Sequence, residues 1–166
     1  MQIAVVSDTH NNIATFEKVI HEIKSRGIRH LIHCGDITFS QTLKPCQDLC
    51  INLAYGNGDI DQKAILDQLQ SLNPDSSAGL TQDFFLDGQR FFVAHGDTHS
   101  LIQTALSSGV YDWVLQGHTH RFKDELYGHT KWLNPGALGG KLTDRGSFAI
   151  LDTGTKTIEL IMLMEF

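Results

Sequence analysis

The stretch Trp113-Val114-Leu115-Gln116-Gly117-His118-Thr119-His120 places two histidines two residues apart, just after a short apolar run. In an extended segment, residues i and i+2 point to the same side, so both imidazoles can face one pocket. A His-x-His pair taken alone also fits two surface or hydrogen-bonded histidines. The stretch gains weight because four other apolar runs of the chain end in a similar way.

Those four runs finish in Asp, Asn or His, usually beside a glycine. Residues 3–6 lead into Ser7-Asp8-Thr9-His10, residues 31–32 into His33-Cys34-Gly35-Asp36, residues 51–55 into Gly56-Asn57-Gly58-Asp59, and residues 91–94 into His95-Gly96-Asp97. In open α/β sheets, ligands bind beyond the carboxyl ends of the strands. We therefore expect these polar residues to converge on one site.

The order of the predicted elements gives the fold class. Strands at 2–7, 30–34 and 51–55 alternate with a helix from Asn11 or Asn12 to about Arg26 and a helix over 61–71, while Pro45 leaves 37–50 ambiguous. After a loop at 73–77, we predict a hairpin over 84–94, a helix at 98–108, a strand at 111–115, and antiparallel strands near 131–133, 146–152 and 156–164. The pattern is typical of an α/β sandwich of two mixed sheets with outer helices.

Length and composition limit the class of protein. The 166 residues fit a single domain, 1–166, and the net charge of −6 without a basic cluster argues against stable nucleic-acid binding. The odd count of 3 cysteines, without a Cys-x-x-Cys motif, favours a cytoplasmic location over a secreted disulfide framework. Met1 leads directly into a strand, and no apolar run is long enough to span a bilayer, so we expect no membrane association.

The polar residues at the strand ends combine carboxylates, imidazoles and one amide, without a thiolate. They are Asp8, His10, Asp36, Asn57, His95, His118 and His120. This donor set suits Mn, Fe, Zn or Ni in five- or six-coordinate geometry. Seven donors are more than one ion needs. The simplest interpretation is therefore that two ions bind here and share the Asp36 carboxylate as a common ligand. Two divalent ions about 3.5–4 Å apart polarise a phosphoryl oxygen, activate a bridging water and stabilise an in-line displacement.

In order and spacing, these five motifs resemble those of the calcineurin-like metallophosphoesterases. The short length and Asn134-Pro135-Gly136 are most similar to the small bacterial and archaeal phosphodiesterases of that superfamily, the branch related to Vps29. The resemblance implies a four-layer αββα sandwich of two mixed β-sheets flanked by helices. It also implies hydrolysis of small phosphodiesters by a metal-bridging hydroxide, and it is compatible with a homo-oligomer.

The resemblance further implies the roles of single residues. One ion would bind Asp8, His10, Asp36 and His120, and the other Asp36, Asn57, His95 and His118. Asp36, Asn57 and His95 are the expected catalytic residues. Mn is the expected metal, with Fe, Zn, Ni or Co as alternatives.

The chain departs from the family pattern at two places. Where many members have a histidine or a cysteine after the Gly-Asn pair, this chain has Gly58, which cannot protonate a leaving group as the histidine can. We therefore predict a preference for esters with good leaving groups, such as aryl phosphodiesters. The proline common after the His-x-His motif is absent, since Arg121-Phe122 follows instead. This difference affects the expected turn and leaves the predicted metal ligands unchanged.

Several further residues have two interpretations each. Asn12 is a predicted substrate-binding residue or a helix cap. Asp59 and Asp97 are expected to orient a histidine or backbone. His99 is a replacement acid or a solvated residue at a helix start, and Arg121 contacts a phosphate or lies on the surface.

Two other functions stay open from the sequence. A phosphomonoesterase or protein phosphatase is the first, although the sequence from Gly35 to Gln41 lacks the Gly-Asp-x-x-Asp-Arg-Gly form of protein phosphatases. The second is a non-catalytic scaffold similar to the retromer subunit Vps29. Competent residues at every predicted ligand position favour catalysis over a scaffold.

Overall fold

Two β-sheets packed face to face form the centre of the molecule, in a computed structural model that describes residues 1–140 and 145–163. Within these ranges, the first sheet has six strands in the spatial order β11 (Thr157–Met162), β10 (Ser147–Asp152), β1 (Gln2–Val6), β2 (His30–His33), β3 (Cys50–Ala54) and β4 (Ser77–Gly79). The second has five, in the order β5 (Thr81–Leu86), β6 (Gln89–Ala94), β7 (Trp113–Leu115), β9 (Thr130–Pro135) and β8 (Phe122–Tyr127). Helices α1 (Ile13–Ser25) and α2 (Gln62–Leu72) pack on the first sheet, and α3 (His99–Ser108) packs on the second. The predicted four-layer αββα sandwich of two mixed sheets is confirmed.

Strand β1 links the layers because it is buried on both faces. Ile3 and Val5 belong to the apolar cluster between the sheets, together with Trp113 of β7. Ala4 and Val6 belong to the cluster under α1 and α2. Successive residues of a strand point to opposite faces, so a strand covered on both sides needs an uninterrupted apolar run.

The parallel strands place five loops where polar side chains can meet. Strands β1 to β4 run parallel in the first sheet, and β6, β7 and β9 run parallel in the second. The carboxyl ends of β1, β2, β3, β6 and β7 lead into the loops that carry the predicted site residues. The sequence interpretation of five runs ending at one site thus has a topological basis.

The first helix begins and ends as its sequence predicts. The Asn12 side chain accepts a hydrogen bond from the Thr15 backbone N–H at 3.4 Å, and Gly27 follows the helix with φ of 74°. A left-handed residue after a helix is most favourable for glycine. The hairpin turn Asp87-Gly88 is also confirmed, with φ of 51° and 73°.

The structure differs from the secondary structure expected from the sequence, or adds to it, at four places. Ser77 lies in β4 and not in the predicted loop 73–77, and β8 was not predicted at all. The strand predicted at 131–133 is β9, which pairs antiparallel with β8 but parallel with β7. The ambiguous 37–50 region contains a 3-10 helix, Ser40–Cys46, with Pro45 inside it.

The predicted strand 156–164 ends in a residue outside the described part of the chain. No helix among the described residues has the length and apolar character needed to cross a membrane.

Candidate metal centre

Six of the seven predicted ligands gather beyond the carboxyl ends of the strands. Two groups have their ligand atoms within 4.8 Å of one another: Asp8 with His10 and His120, and Asp8 with Asp36 and His95. His118 joins the second group through its Nδ1 atom, which lies 3.3 Å from His95 Nε2. The convergence predicted from the strand ends is therefore observed for these six side chains.

Asp8 lies at the centre of both groups and is fully buried. Its Oδ2 atom accepts hydrogen bonds from Ser7 Oγ at 2.6 Å and from the His118 backbone N–H at 3.0 Å. Among the described residues, its Oδ1 atom has no hydrogen-bond partner. A buried carboxylate oxygen without a partner carries a large desolvation cost, so this atom is a candidate ligand for a cation.

The atoms that face Asp8 Oδ1 are imidazole nitrogens. His120 Nε2 lies 3.2 Å away, His10 Nε2 3.7 Å and His95 Nε2 4.0 Å. Burial alone would raise the pKa of Asp8, but the nearby His10 imidazole, the hydrogen bond from Ser7 and the charges of His95 and His120 outweigh this effect. The pKa of Asp8 is lowered overall, so the carboxylate is ionised at neutral pH.

The tautomer of His95 is fixed by its surroundings. Its Nδ1–H donates to the Cys34 carbonyl oxygen at 2.8 Å, which leaves the Nε2 atom as the ring's acceptor. That nitrogen lies 3.5 Å from Asp36 Oδ2. A lone pair that faces carboxylate oxygens is unfavourable unless a cation lies between them, and such a backbone bond to the far nitrogen is common in metal-binding histidines.

Asp36 is held by the loop that follows β3. Its Oδ1 atom accepts from the Gly58 backbone N–H at 2.7 Å. A Cβ atom at Gly56 would lie 2.2 Å from the same oxygen, so only glycine fits there. The backbone at Gly56 and Gly58 therefore packs directly against the Asp36 carboxylate.

Asp59 organises the same loops from a buried position. Its Oδ2 atom accepts from the backbone N–H groups of Asp36 at 2.9 Å and Gly56 at 2.8 Å, and its Oδ1 atom accepts from Thr38 N–H at 2.7 Å. Burial raises the pKa of Asp59, and these three hydrogen bonds partly offset the effect. The expectation that Asp59 orients backbone is confirmed.

Backbone strain is concentrated at the site. Asp8, His10, Asp36, His118 and His120 have φ values of 52°, 45°, 60°, 66° and 58°. This left-handed region is uncommon for residues other than glycine and costs on the order of 1 kcal/mol or more for each. Strained residues cluster at functional sites, where the surrounding contacts hold them in place.

Two positioning residues were not identified from the sequence. His33 is fully buried: its Nε2 atom lies 2.9 Å from Thr9 Oγ1, and its Nδ1 atom accepts from Gly35 N–H at 3.1 Å. It thus connects the loops that carry Asp8 and Asp36. Since a single histidine in an apolar strand has no characteristic spacing, nothing in the sequence pattern marks it.

Asn134 supports the His-x-His loop in a comparable way. Its Nδ2 group donates to the Gly117 carbonyl at 2.7 Å and to Thr119 Oγ1 at 3.1 Å, while its Oδ1 atom accepts from Gly136 N–H at 2.9 Å. The Asn-Pro-Gly motif was the available signal for this residue, and its contacts give that motif a structural role.

The remaining predicted residues lie at the periphery. Asn57 is exposed and, with Asp97, lines a groove beside the centre, while His99 and Arg121 are also exposed. Asn12 caps α1, and its Nδ2 group donates to the Leu138 carbonyl at 3.0 Å. The roles of Asn57 as a ligand and of Asn12 as a substrate contact stay predictions.

The described residues fit a divalent metal. An orphaned buried carboxylate oxygen, paired imidazole nitrogens 3.2 Å and 3.3 Å apart, and a second carboxylate nearby form an N/O donor set. The Cys34 side chain belongs to the apolar cluster between the sheets and takes no part. Such a centre can neutralise, orient and polarise an anionic ester.

Comparison with known proteins agrees with this geometry. The model of the calcineurin-like phosphoesterase superfamily domain matches residues 1–156. Phosphodiesterase MJ0936 of Methanocaldococcus jannaschii is 32% identical over 98% of this chain and 99% of its own length. The solved structure of an archaeal phosphodiesterase is 32% identical, covers 98% of this chain and 100% of its own, and has a TM-score of 0.93.

More distant structures share the fold. The phosphoesterase YfcE of E. coli is 19% identical, with a TM-score of 0.70 over 99% of this chain and 100% of its own. A Vps29 structure from Entamoeba histolytica is 16% identical, with a TM-score of 0.72 over the same shares. At these identities the likeness extends to the architecture alone.

Proposed function

The chain belongs to the calcineurin-like phosphoesterase superfamily and is a phosphoric ester hydrolase, and we propose that it acts on small phosphodiesters with the help of two divalent metal ions. The observation that carries the proposal is the position of Asp8 Oδ1, an orphaned buried acceptor surrounded by the imidazoles of His10, His95 and His120. The name of the archaeal relative favours a diester over a monoester substrate.

The proposed ligand sets are those expected from the sequence. Asp8, His10, Asp36 and His120 would hold one ion, and Asp36, Asn57, His95 and His118 the other. When bound, the ions would supply Lewis-acid polarisation of the phosphoryl group and an activated water. The N/O donor set without thiolate supports Mn, with Fe, Zn, Ni or Co as alternatives. We also propose a cytoplasmic location.

The chain's own residues contribute orientation and charge. Ser7 and the His118 backbone N–H fix Asp8, and Asp59 fixes the backbone of Asp36. The Cys34 carbonyl keeps the proton of His95 on Nδ1, so that its Nε2 atom faces the centre. Preorganised groups of this kind lower the reorganisation needed during the reaction.

Leaving-group protonation is the step that this chain supports least. By the family resemblance, Gly58 occupies the position at which many members carry a histidine or a cysteine, and its N–H donates to Asp36. General acid catalysis typically contributes 10²–10⁴-fold, and its loss matters least when the leaving group is already a stable anion. We therefore propose aryl esters as the better model substrates.

The test is hydrolysis of bis-p-nitrophenyl phosphate compared with p-nitrophenyl phosphate, in the presence of Mn²⁺. We expect faster cleavage of the diester and loss of activity in Asp36→Asn. The matched control is Asp67→Asn, which changes an exposed carboxylate on α2. Faster cleavage of the monoester would favour a phosphomonoesterase, and no activity with any of the five metals would favour a scaffold.

A further inference from the structure

A groove of about 330 Å³ opens beside the candidate metal centre, and we propose that it binds one uncharged, ring-bearing ester group of the substrate. This inference rests on the phosphodiesterase activity proposed above and adds the part of the site that would select the ester. The residues that carry the argument are Asn57, Ile60, Leu80, Asp97, Thr98 and Leu101, all on the groove wall. Small-molecule sites occupy roughly 300–1,000 Å³, so the groove can hold one ring system.

The groove is continuous with the candidate centre. Asn57, a predicted ligand, lies on its wall between Gly56 and Gly58, and both glycines lie against the Asp36 carboxylate. Asp59, whose side chain holds the Asp36 backbone, lines the groove as well. A diester with its phosphate beside Asp36 therefore has one ester group within reach of the groove.

The apolar residues of the groove are unusually exposed. Ile60 is 91% exposed, Leu80 71% and Leu101 40%. They come from three separate segments: the loop before α2, the connection between β4 and β5, and the first turn of α3. Apolar surface gains free energy when a ligand covers it, and three such side chains around one groove indicate a ligand with an apolar face.

The charges of the groove favour a neutral group over a second phosphate. None of the described residues on its wall is Lys, Arg or His, whereas the Asp97 carboxylate is exposed there. An anionic group would face this carboxylate without compensation. A neutral ring with N–H or O–H groups can donate to Asp97, and the Thr98 side chain, which makes no capping hydrogen bond to α3, offers a hydroxyl. Aryl and nucleoside esters have this chemistry.

The test compares two ligands that share the phosphate but differ in the ester group. The double variant Ile60→Ser, Leu80→Ser is loaded with Mn²⁺, and KM is measured for bis-p-nitrophenyl phosphate. The inhibition constant is measured for dimethyl phosphate, which has no ring. We expect about a tenfold rise in KM, comparable to the discrimination of an apolar pocket, with an unchanged inhibition constant. Both side chains are exposed, so the variant should fold.

Leu126→Ser is the matched control for truncation of an exposed leucine. Leu126 is 66% exposed and pairs with Lys131, which lies beside the start of β7 and thus at the end of the sheet opposite the site. This variant should leave both constants unchanged. An unchanged KM in the double variant would overturn the proposal. A parallel rise of KM and the inhibition constant would also overturn it, since the damage would then lie at the metal centre.

A binding measurement separates failure of the groove from failure of the activity. If the wild-type protein does not hydrolyse the diester, the proposed function fails, and calorimetric titration with diphenyl phosphate decides the groove alone. Binding that weakens about tenfold in the double variant would support the groove as a ring-binding site. Equal binding of diphenyl phosphate by both proteins, or no binding by either, would overturn the proposal that the groove binds a ring.

Discussion

The Nε2 atoms of His10 and His120 lie 3.2 Å apart, although 110 positions of the chain separate the two residues. At this distance one ring nitrogen can donate its proton to the other, so the two rings form a hydrogen bond in the metal-free protein. The same His120 atom is also 3.2 Å from Asp8 Oδ1. A cation bound among these atoms would take the place of the shared proton and satisfy the Asp8 carboxylate, so metal binding should be measurable as a gain in stability.

Metal binding should stabilise the folded chain. For Mn²⁺ at 100 times its dissociation constant, we expect the free energy of unfolding to rise by about 2.7 kcal/mol per site, measured by urea denaturation after dialysis against EDTA. His10→Gln, which removes a ligand of one of the two proposed ions, should lose most of the gain contributed by that ion. His21→Gln, which changes an exposed histidine on α1, should retain it. Equal unfolding curves with and without Mn²⁺, Zn²⁺ and Co²⁺ would contradict the proposed centre.

Removal of the Asp59 side chain should damage both stability and activity. Asp59→Ala leaves three backbone N–H groups without their acceptor. At about 1 kcal/mol for each unpaired group, we expect a loss near 3 kcal/mol in the free energy of unfolding. Because the Asp36 loop would shift, activity should fall about 10–100-fold, as for other residues that support metal ligands.

Asp61→Ala is the control for that variant. Asp61 lies two residues further along the same loop, is exposed, and caps α2 by accepting from Ala64 N–H at 3.0 Å. It should cost about 1 kcal/mol, as the loss of a helix cap does, with activity retained. If Asp59→Ala behaved like Asp61→Ala in thermal melts and turnover, the role assigned to Asp59 would be wrong.

Substitutions at Gly58 should separate packing from acid catalysis. A Cβ atom there would lie 3.0 Å from Asp36 Oδ1, so Gly58→Ala must displace the loop or the carboxylate and should slow the cleavage of every ester. Gly58→His adds the same Cβ and an imidazole. Relative to Gly58→Ala, it should raise the rate for alkyl esters over that for aryl esters by up to about 10²-fold. If the ratio of the alkyl-ester rate to the aryl-ester rate were equal in both variants, the proposal that this chain lacks a general acid at position 58 would be wrong.

The buried His33 should make the stability depend on pH. Burial lowers its pKa from 6.5 to about 3 in the folded protein. As the pH falls below 6.5, the unfolded chain binds this proton first, so the stability contributed by the neutral ring is present above pH 6.5 and is lost progressively towards pH 3. One proton corresponds to a slope of about 1.4 kcal/mol per pH unit.

That slope can be assigned by comparing variants. Urea unfolding of the metal-free protein between pH 4 and pH 6 should show a slope smaller by about 1.4 kcal/mol per pH unit in His33→Gln than in the wild type. His129→Gln, which changes an exposed histidine outside the site, should keep the wild-type slope. A wild-type slope in His33→Gln would mean that His33 takes up its proton equally in both states.

The parts of the site that could be predicted from the sequence are those for which a single continuous segment contains both the strand pattern and the functional residues. Each apolar run that ends in Asp or His identifies its own strand and its own functional loop, and the parallel arrangement then brings the loops together. Asp59 could be predicted as an orienting residue because it stands two positions from Asn57 in the same loop.

The parts that could not be predicted depend on the pairing between segments. Val6 of β1 lies opposite His33 of β2, and only this register brings the His33 ring to Thr9. Strand β8 has exposed residues at nearly every position and lies at the edge of its sheet, so it shows no alternation of apolar and polar residues. Strand β4 has 3 residues, too few for a pattern.

The left-handed backbone at His10, His118 and His120 has a consequence for how this protein tolerates mutation. Glycine adopts that conformation without a steric penalty, so histidine-to-glycine changes would relieve strain while they delete ligands. In the metal-free state, variants that lose catalysis at these positions can therefore match or exceed the parent in stability. Without selection for turnover or metal binding, the sequence would drift towards an inert domain of unchanged shape, because the metal-free backbone is less strained without these histidines.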